Sequence, residues 1–142
     1  MPSKLIDPAA LPTMTFEWGV IKPLVATDNT DDPAVSMMHV VLLPGQGHER
    51  HNHPESDEIL YFLSGEGDQM VDDGEPFPVR PGHAVFIPKG AFHSTINHGW
   101  EPMAILAIYA PAGAEEVLKT LPDYEEVAPG QAPPLARSAS GS

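Results

Sequence analysis

Three histidines and one glutamate, in two separated stretches of the chain, have the residue types and the spacing of a metal site. His51 and His53 are two residues apart, so on an extended strand both imidazoles point to one face, about 7 Å apart. Glu58 opens the next apolar run, and a hairpin-like return after Pro54 would bring its carboxylate opposite the pair. In the second stretch, His93 shares a strand face with polar residues, which is typical of the wall of a wet cavity.

This ligand set suits an open, catalytic metal centre. Three neutral imidazoles and one carboxylate fix a divalent ion and leave one or two coordination positions for water or substrate. One carboxylate leaves the ion with a formal charge of about +1, so it remains a Lewis acid. Zn, Fe, Mn and Ni all accept these ligands, so we predict one divalent ion of unspecified identity. Glu55 and Asp57 are alternative oxygen ligands, which we interpret as solvated loop charges.

The four remaining histidines have different expected roles. His48, three residues before the pair, is a further ligand, a proton shuttle or a turn residue, and it is our candidate catalytic residue. His39 interrupts an apolar strand and is either a core histidine or a substrate contact. His83 and His98 lie at turns and are expected at the surface.

Short apolar runs separated by proline and glycine predict an all-β sandwich or barrel. The chain has 17 prolines and 12 glycines, spread at short intervals, and Asp73-Gly74 is a strong signal for a tight turn. The segment 112–121 alone has a helical pattern, ended by Pro122. The predicted strands are 13–18, 20–25, 35–43, 58–63, 69–72, 77–80, 84–87, 92–97 and 103–109.

Size and charge exclude several classes of protein. The 142 residues suffice for one domain with a core, and 42% hydrophobic residues are too many for a disordered chain. A formal net charge of −13, without any cluster of Lys or Arg, repels nucleic acid and anionic lipid. The absence of cysteine excludes disulfides and thiolate ligands. Without a long apolar run or a basic-then-apolar leader, the chain is expected to be cytoplasmic.

Apolar and aromatic side chains on the predicted strands are candidates for a substrate pocket. The strands 35–43 and 103–109 are apolar on both faces, so both faces must be covered. One face lines the interior and the other packs on a second sheet or a second subunit, which predicts a homodimer. An apolar pocket favours an apolar small molecule over a sugar or a nucleotide. The predicted pocket residues are His39, Met38, Val40, Leu60, Phe62, Phe86, Trp100 and Tyr109.

Two sequence motifs resemble those of the cupin superfamily, and of its small, single-domain microbial members in particular. The first, within 45–65, reads Gly45, five residues, His51-x-His53, four residues, Glu58, six residues and Gly65. The second, within 82–97, reads Gly82, five residues, Pro88-x-Gly90, two residues, His93, three residues and Asn97. The resemblance implies that His51, His53, Glu58 and His93 are metal ligands and that Asn97 has no ligand role.

The resemblance also implies a jelly-roll β-barrel or sandwich with the metal inside. We predict one cupin domain over 1–128, with one short C-terminal helix, and a Pro/Ala/Ser-rich tail over 129–142. The predicted function is a metal-dependent enzyme that cyclises or isomerises a small, apolar carbonyl or enol compound, since the chain is similar to cupin-type aromatic polyketide cyclases. An Fe or Mn dioxygenase and a non-enzymatic small-molecule binding barrel are the alternatives.

Overall fold

The structure, a computed structural model, describes residues 2–133 as two antiparallel β-sheets that share one hydrophobic core. The larger sheet has seven strands in the order β10-β1-β2-β3-β9-β4-β7, and the smaller has three in the order β6-β5-β8. The strands are β1 (Thr13–Phe16), β2 (Gly19–Val25), β3 (Ser36–Leu42), β4 (Asp57–Ser64), β5 (Gly67–Val71), β6 (Phe77–Val79), β7 (Ala84–Ile87), β8 (His93–Asn97), β9 (Met103–Ala110) and β10 (Glu125–Val127).

Alternating burial along the strands separates the core from the outer surface. On β4, the side chains of Glu58, Leu60 and Phe62 are buried, whereas the intervening residues 59, 61 and 63 are about 40% exposed. This is the period of two that an extended backbone imposes. The predicted all-β fold and all nine predicted strands are confirmed, with some ends shifted by one or two residues.

The C-terminal part differs from the sequence prediction in two details. The short helix is a 3-10 helix over Ala114–Thr120, and it lies between Pro111 and Pro122. Strand β10 was not predicted, since Glu125–Val127 shows no apolar alternation. Its position comes from backbone pairing with the edge of β1, where Thr13 lies opposite Val127.

Gly65 shows why a glycine stands where the chain leaves β4. Its φ is +80°, and a Cβ added there would lie 2.8 Å from the Cα of Met103. A side chain is excluded by both the backbone conformation and the neighbouring strand. Glycine is therefore the residue that this corner requires.

The last described strand ends at Val127, and residues 134–142 of the predicted tail lie outside the described residues. The domain boundary at 128 therefore stays a prediction. Within residues 2–133, no helix has both the length and the hydrophobicity that crossing a membrane requires.

Candidate metal centre

The two motif stretches meet because the chain around 45–53 runs antiparallel beside β8. The backbone N–H of Gly45 donates to the carbonyl of Asn97 over 2.8 Å. Farther along, His51 and His93 exchange both backbone hydrogen bonds, at 3.0 and 2.8 Å. Residues paired in this way lie directly opposite each other, so imidazoles from distant parts of the sequence come side by side, with ring centroids 4.3 Å apart.

Three imidazoles converge at this point and a carboxylate lies against two of them. One ring nitrogen from each of His51, His53 and His93 lies within 4.8 Å of the other two. From β4, Oε1 of Glu58 lies 2.9 Å from Nε2 of His93 and 3.5 Å from Nε2 of His53. Glu58 points inward with Leu60 and Phe62, as the period of two along β4 requires.

The facing polar atoms fit a bound cation. Nε2 of His53, Nε2 of His93 and Oε1 of Glu58 are buried and have no hydrogen-bond partner, although the last two lie 2.9 Å apart. Leaving such atoms unpaired costs about 1–3 kcal/mol each. A divalent ion between them would give all three a partner, and nitrogen and carboxylate oxygen are ligands that such ions accept.

Backbone carbonyls orient two of the rings toward the centre. Nδ1 of His51 lies 2.7 Å from the carbonyl oxygen of Glu49, and Nδ1 of His93 lies 3.0 Å from that of Ala91. A carbonyl oxygen only accepts, so each Nδ1 is the donor and carries the hydrogen in these bonds. The Nε2 lone pairs are thereby left free for a metal, in the arrangement that fixes metal-binding histidines elsewhere.

Burial sets the charge state of the imidazoles. It lowers the pKa of His51 to about 3, with further lowering by His48 and His93. Burial also lowers the pKa of His53 to about 4, against an opposing effect of the Glu58 carboxylate. For His93, burial lowers the pKa but the adjacent Glu58 carboxylate outweighs it, and the net shift is upward. His51 and His53 are therefore neutral at pH 7, as metal ligands must be.

A cavity of about 60 Å³ opens beside His51, Glu58 and His93, which line it. Val40, Leu60 and Tyr109, three of the predicted pocket residues, contribute to its wall. The wall also contains residues that the sequence analysis missed: Trp18, Ile21, Leu42, Thr95, Ile105, Ala107 and Leu118. Most of these are apolar, so the cavity is largely apolar and has its polar end at the candidate metal centre.

The remaining five predicted pocket residues do not line this cavity. Met38 and Phe62 are fully buried in the solid core, where neighbouring side chains cover them. His39 was wrongly placed in the pocket, because alternation on β3 points it away from the side of Met38 and Val40. Phe86 and Trp100 were also wrong: they are 60% and 86% exposed, Phe86 on the outer face of its sheet and Trp100 in the turn after β8.

The other polar alternatives lie away from the centre. Glu55 is exposed, and Oδ1 of Asp57 accepts the backbone N–H of Lys89 over 2.9 Å. His83 and His98 are exposed, as the sequence predicted. Neither acidic residue belongs to the three-imidazole cluster.

His48 lies at the mouth of the cavity, in a stack of aromatic rings. Its ring centroid is 4.0 Å from that of His51 and 4.8 Å from that of Trp18. Burial, with the charges of His53 and His93, lowers its pKa to about 4, so it is neutral at pH 7. Trp18 was predicted as the end of a strand, but it lies in the two-residue turn between β1 and β2. A large aromatic ring in such a turn is a signal of burial that the sequence analysis did not use.

Comparison with known proteins gives one family match and several relatives. The model of the cupin domain family matches residues 38–109. An uncharacterized protein of Methanocaldococcus jannaschii is 30% identical over 74% of this chain and 83% of its own length. A glucose-6-phosphate isomerase of Thermococcus gammatolerans is 40% identical over 45% of this chain, which spans only 36% of that enzyme. The tetracenomycin polyketide synthase protein TcmJ of Streptomyces glaucescens is 29% identical over 68% of this chain and 64% of its own length.

Solved structures show the same fold. A predicted oxalate decarboxylase from Thermotoga maritima superposes with a TM-score of 0.67 and 23% identity, over 76% of this chain and 99% of that one. The oxalate decarboxylase of Lactobacillus farciminis, solved with formate, has a TM-score of 0.65 and 27% identity, over 79% of this chain and 36% of that one.

Proposed function

Because this chain belongs to the cupin family, we propose that it is a metal-dependent enzyme acting on a small, largely apolar molecule with a carbonyl or enol oxygen. The observation that carries the proposal is the group of buried, unpaired atoms of His53, His93 and Glu58, of which the last two residues line an apolar cavity. A divalent ion held there by these residues and His51 would act as a Lewis acid toward the substrate oxygen.

The cavity wall supports a neutral substrate. None of the described residues that line it is Lys or Arg, and Glu58 adds a carboxylate. Arg50 is the cationic residue directly before His51 in the sequence. Its guanidinium donates to the carbonyl of Asp72 and lies over the ring of Phe92, 5.0 Å from the ring centroid. An anion such as oxalate or a sugar phosphate would lose its hydration here and would have the bound ion, but no described cationic side chain, as a positive partner.

Two residues of the chain are suited to proton handling. His48 lines the cavity, and we propose that its neutral imidazole accepts a proton from the substrate and returns it at another atom. Burial, with Glu58 and Glu115, raises the pKa of Tyr109 well above its usual value, so its hydroxyl stays protonated and is a hydrogen-bond donor. An isomerisation or a cyclisation leaves the number of protons in the molecule unchanged. The proton that His48 removes is therefore returned to the substrate. The similarity to TcmJ supports a polyketide cyclase-like reaction.

The test is metal restoration with product analysis. The protein is stripped with a chelator, reloaded separately with Zn, Fe(II), Mn and Ni, and incubated with neutral 1,3-dicarbonyl compounds and aromatic polyketide mimics. We expect metal-dependent products of unchanged mass, or lighter by one water, without oxygen uptake. Oxygen uptake that accompanies turnover would replace this proposal with a dioxygenase. Ligand binding without turnover under every metal would replace it with a binding protein.

The proposed role of His48 predicts a large catalytic loss in the same assay. His48→Phe keeps an aromatic ring in the stack but cannot accept a proton, so kcat is expected to fall about 10²- to 10⁴-fold. Metal content should stay unchanged, because His48 is outside the three-imidazole cluster. The exposed His83, changed to Phe, is the matched control. Unaltered kcat in His48→Phe would exclude the role.

We also propose that the outer face of the seven-stranded sheet joins two copies of this chain. Ile59 lies opposite Phe86 on β7 and Ile108 on β9, and Tyr61 lies opposite Leu106. Ile59, Tyr61 and Phe86 are 41%, 42% and 60% exposed. On a chain with a net charge of −13, this uncharged, apolar patch is where two identical copies repel each other least.

Phe86→Glu is therefore expected to convert a dimer into a monomer, because it places a negative charge in each half of the contact. Trp100→Glu is the matched control, since it adds the same charge at an exposed aromatic residue in the turn after β8. Sedimentation velocity gives the mass in solution. A wild-type chain that sediments as a monomer at high concentration contradicts the proposed dimer.

A further inference from the structure

The cavity beside the candidate metal centre is small compared with the substrates proposed for it. Its volume is about 60 Å³. Pockets that enclose a whole drug-sized ligand measure about 300–1,000 Å³. Only a head of a few atoms fits beside Glu58 and the histidines.

A larger groove lies on the other side of Trp18 and His48. Its volume is about 550 Å³, and both residues line it as well as the inner cavity. Its wall also includes Leu121 and Pro122, which follow the 3-10 helix. Together the two spaces have room for a molecule that the inner cavity alone cannot hold. Trp18 and residues 121–123 lie outside the matched family region 38–109.

Several contacts hold the Trp18 indole at this boundary. It stacks on Phe16 with ring centroids 4.6 Å apart and an interplanar angle of 5°, and on His48 at 4.8 Å. The turn that carries it is fixed by the backbone N–H of Glu17, which donates to Oδ2 of Asp123 over 3.0 Å. Trp18 is only 8% exposed although it lies in a two-residue turn. The ring is thus a preorganised wall between the two spaces.

We propose that Trp18 is a specificity-determining residue: it admits only a slim, unbranched head to the inner cavity, while the rest of the substrate lies in the outer groove. This inference rests on the proposed function, because the head is the part that carries the reacting oxygen. It names the substrate class more closely, as an elongated molecule that is narrow next to its carbonyl or enol oxygen.

The groove also restricts the charge of the body. Glu17, Glu49 and Asp123 line it, and none of its described lining residues is Lys or Arg. Three carboxylates around one groove disfavour an anionic group by direct repulsion. The body of the substrate is accordingly not anionic.

Isomeric metal-binding probes test the inference without knowledge of the substrate. The protein is loaded with Co(II), whose visible spectrum reports ligand binding, and titrated with hexanohydroxamic acid and with 2,2-dimethylbutanohydroxamic acid. The two have the same atoms, but the second is branched beside the metal-binding head. We expect the wild type to prefer the straight probe by about tenfold or more, the discrimination typical of shape in an apolar pocket. Adipic acid monohydroxamate, which ends in a carboxylate, should bind more weakly than the straight probe.

Variants at the two tryptophans assign the preference to one ring. Trp18→Leu should bring the ratio of the two dissociation constants close to one, Trp18→Phe should give an intermediate ratio, and Trp100→Leu should keep the wild-type ratio. An unchanged ratio in Trp18→Leu, with an intact Co(II) spectrum, overturns the inference and leaves the proposed function standing. A wild type that binds the straight and branched probes equally well has the same meaning. Absence of a Co(II) spectrum in the wild type overturns both. Equal binding of the straight and carboxylate-ended probes overturns the exclusion of an anionic body.

Discussion

The His93→Ala variant is expected to lose its divalent metal, with affinity falling more than about 100-fold. Removal of a residue that merely supports a metal ligand typically costs about 10- to 100-fold in affinity, and His93 is proposed to bind the ion directly. Its ring is 3% exposed and its Nε2 faces both Glu58 and the other two imidazoles. Metal-dependent activity should disappear with the metal.

Metal content after dialysis, measured by atomic emission, and isothermal titration with the metal check this result. Circular dichroism should show that the β-sheets persist, because the backbone hydrogen bonds between β8 and β5 do not involve the imidazole. His98→Ala is the matched control: it removes an exposed histidine whose Nδ1 lies 3.2 Å from Oδ2 of Asp68. Full metal content and activity in His93→Ala would end the proposed metal chemistry.

The Asn97→Leu variant is expected to lower the free energy of unfolding by about 3–5 kcal/mol. Asn97 is fully buried, and its amide donates to the carbonyls of Leu42 and Glu101, at 3.0 and 2.8 Å. Its side-chain oxygen accepts the backbone N–H of Gly99 over 2.8 Å. Leucine has a similar size but leaves three backbone groups without a partner, at about 1–3 kcal/mol each where they remain buried.

Urea denaturation of the metal-free protein measures this loss apart from any effect of the ion. Asn52→Leu is the control, because Asn52 is half-buried and its amide makes a single bond of 3.2 Å to the carbonyl of Gly90. We expect that variant to lose about 1 kcal/mol or less. Equal stability of the two variants would show that the side-chain hydrogen bonds of Asn97 do not stabilise the end of β8 against its neighbours.

Most of the fold follows from local patterns in the chain. Alternation on β4 predicted that Glu58, Leu60 and Phe62 point inward, and the structure agrees. All four motif glycines, Gly45, Gly65, Gly82 and Gly90, have positive φ, a conformation that glycine adopts without strain. Strand β10 escaped prediction because its place depends on the edge of β1, which lies more than a hundred residues away in sequence.

The site was only partly predictable. The direction of each side chain followed from its strand, but its neighbours did not. Leu60 and Phe62 share one strand face, yet Leu60 lines the cavity and Phe62 is enclosed by the core. Trp100 resembled a pocket residue in type, but it lies in an exposed turn.

By itself the sequence determined which side chains share a strand face and which four residues have the types and spacing of metal ligands, because alternation and spacing are local properties of an extended chain. The tertiary structure alone decided where the interior stays open and what forms its mouth. Those features depend on how the turn bearing Trp18 and the segment after the 3-10 helix pack beside His48. Segments far apart in sequence contact each other there, and such contacts cannot be predicted from a local sequence pattern.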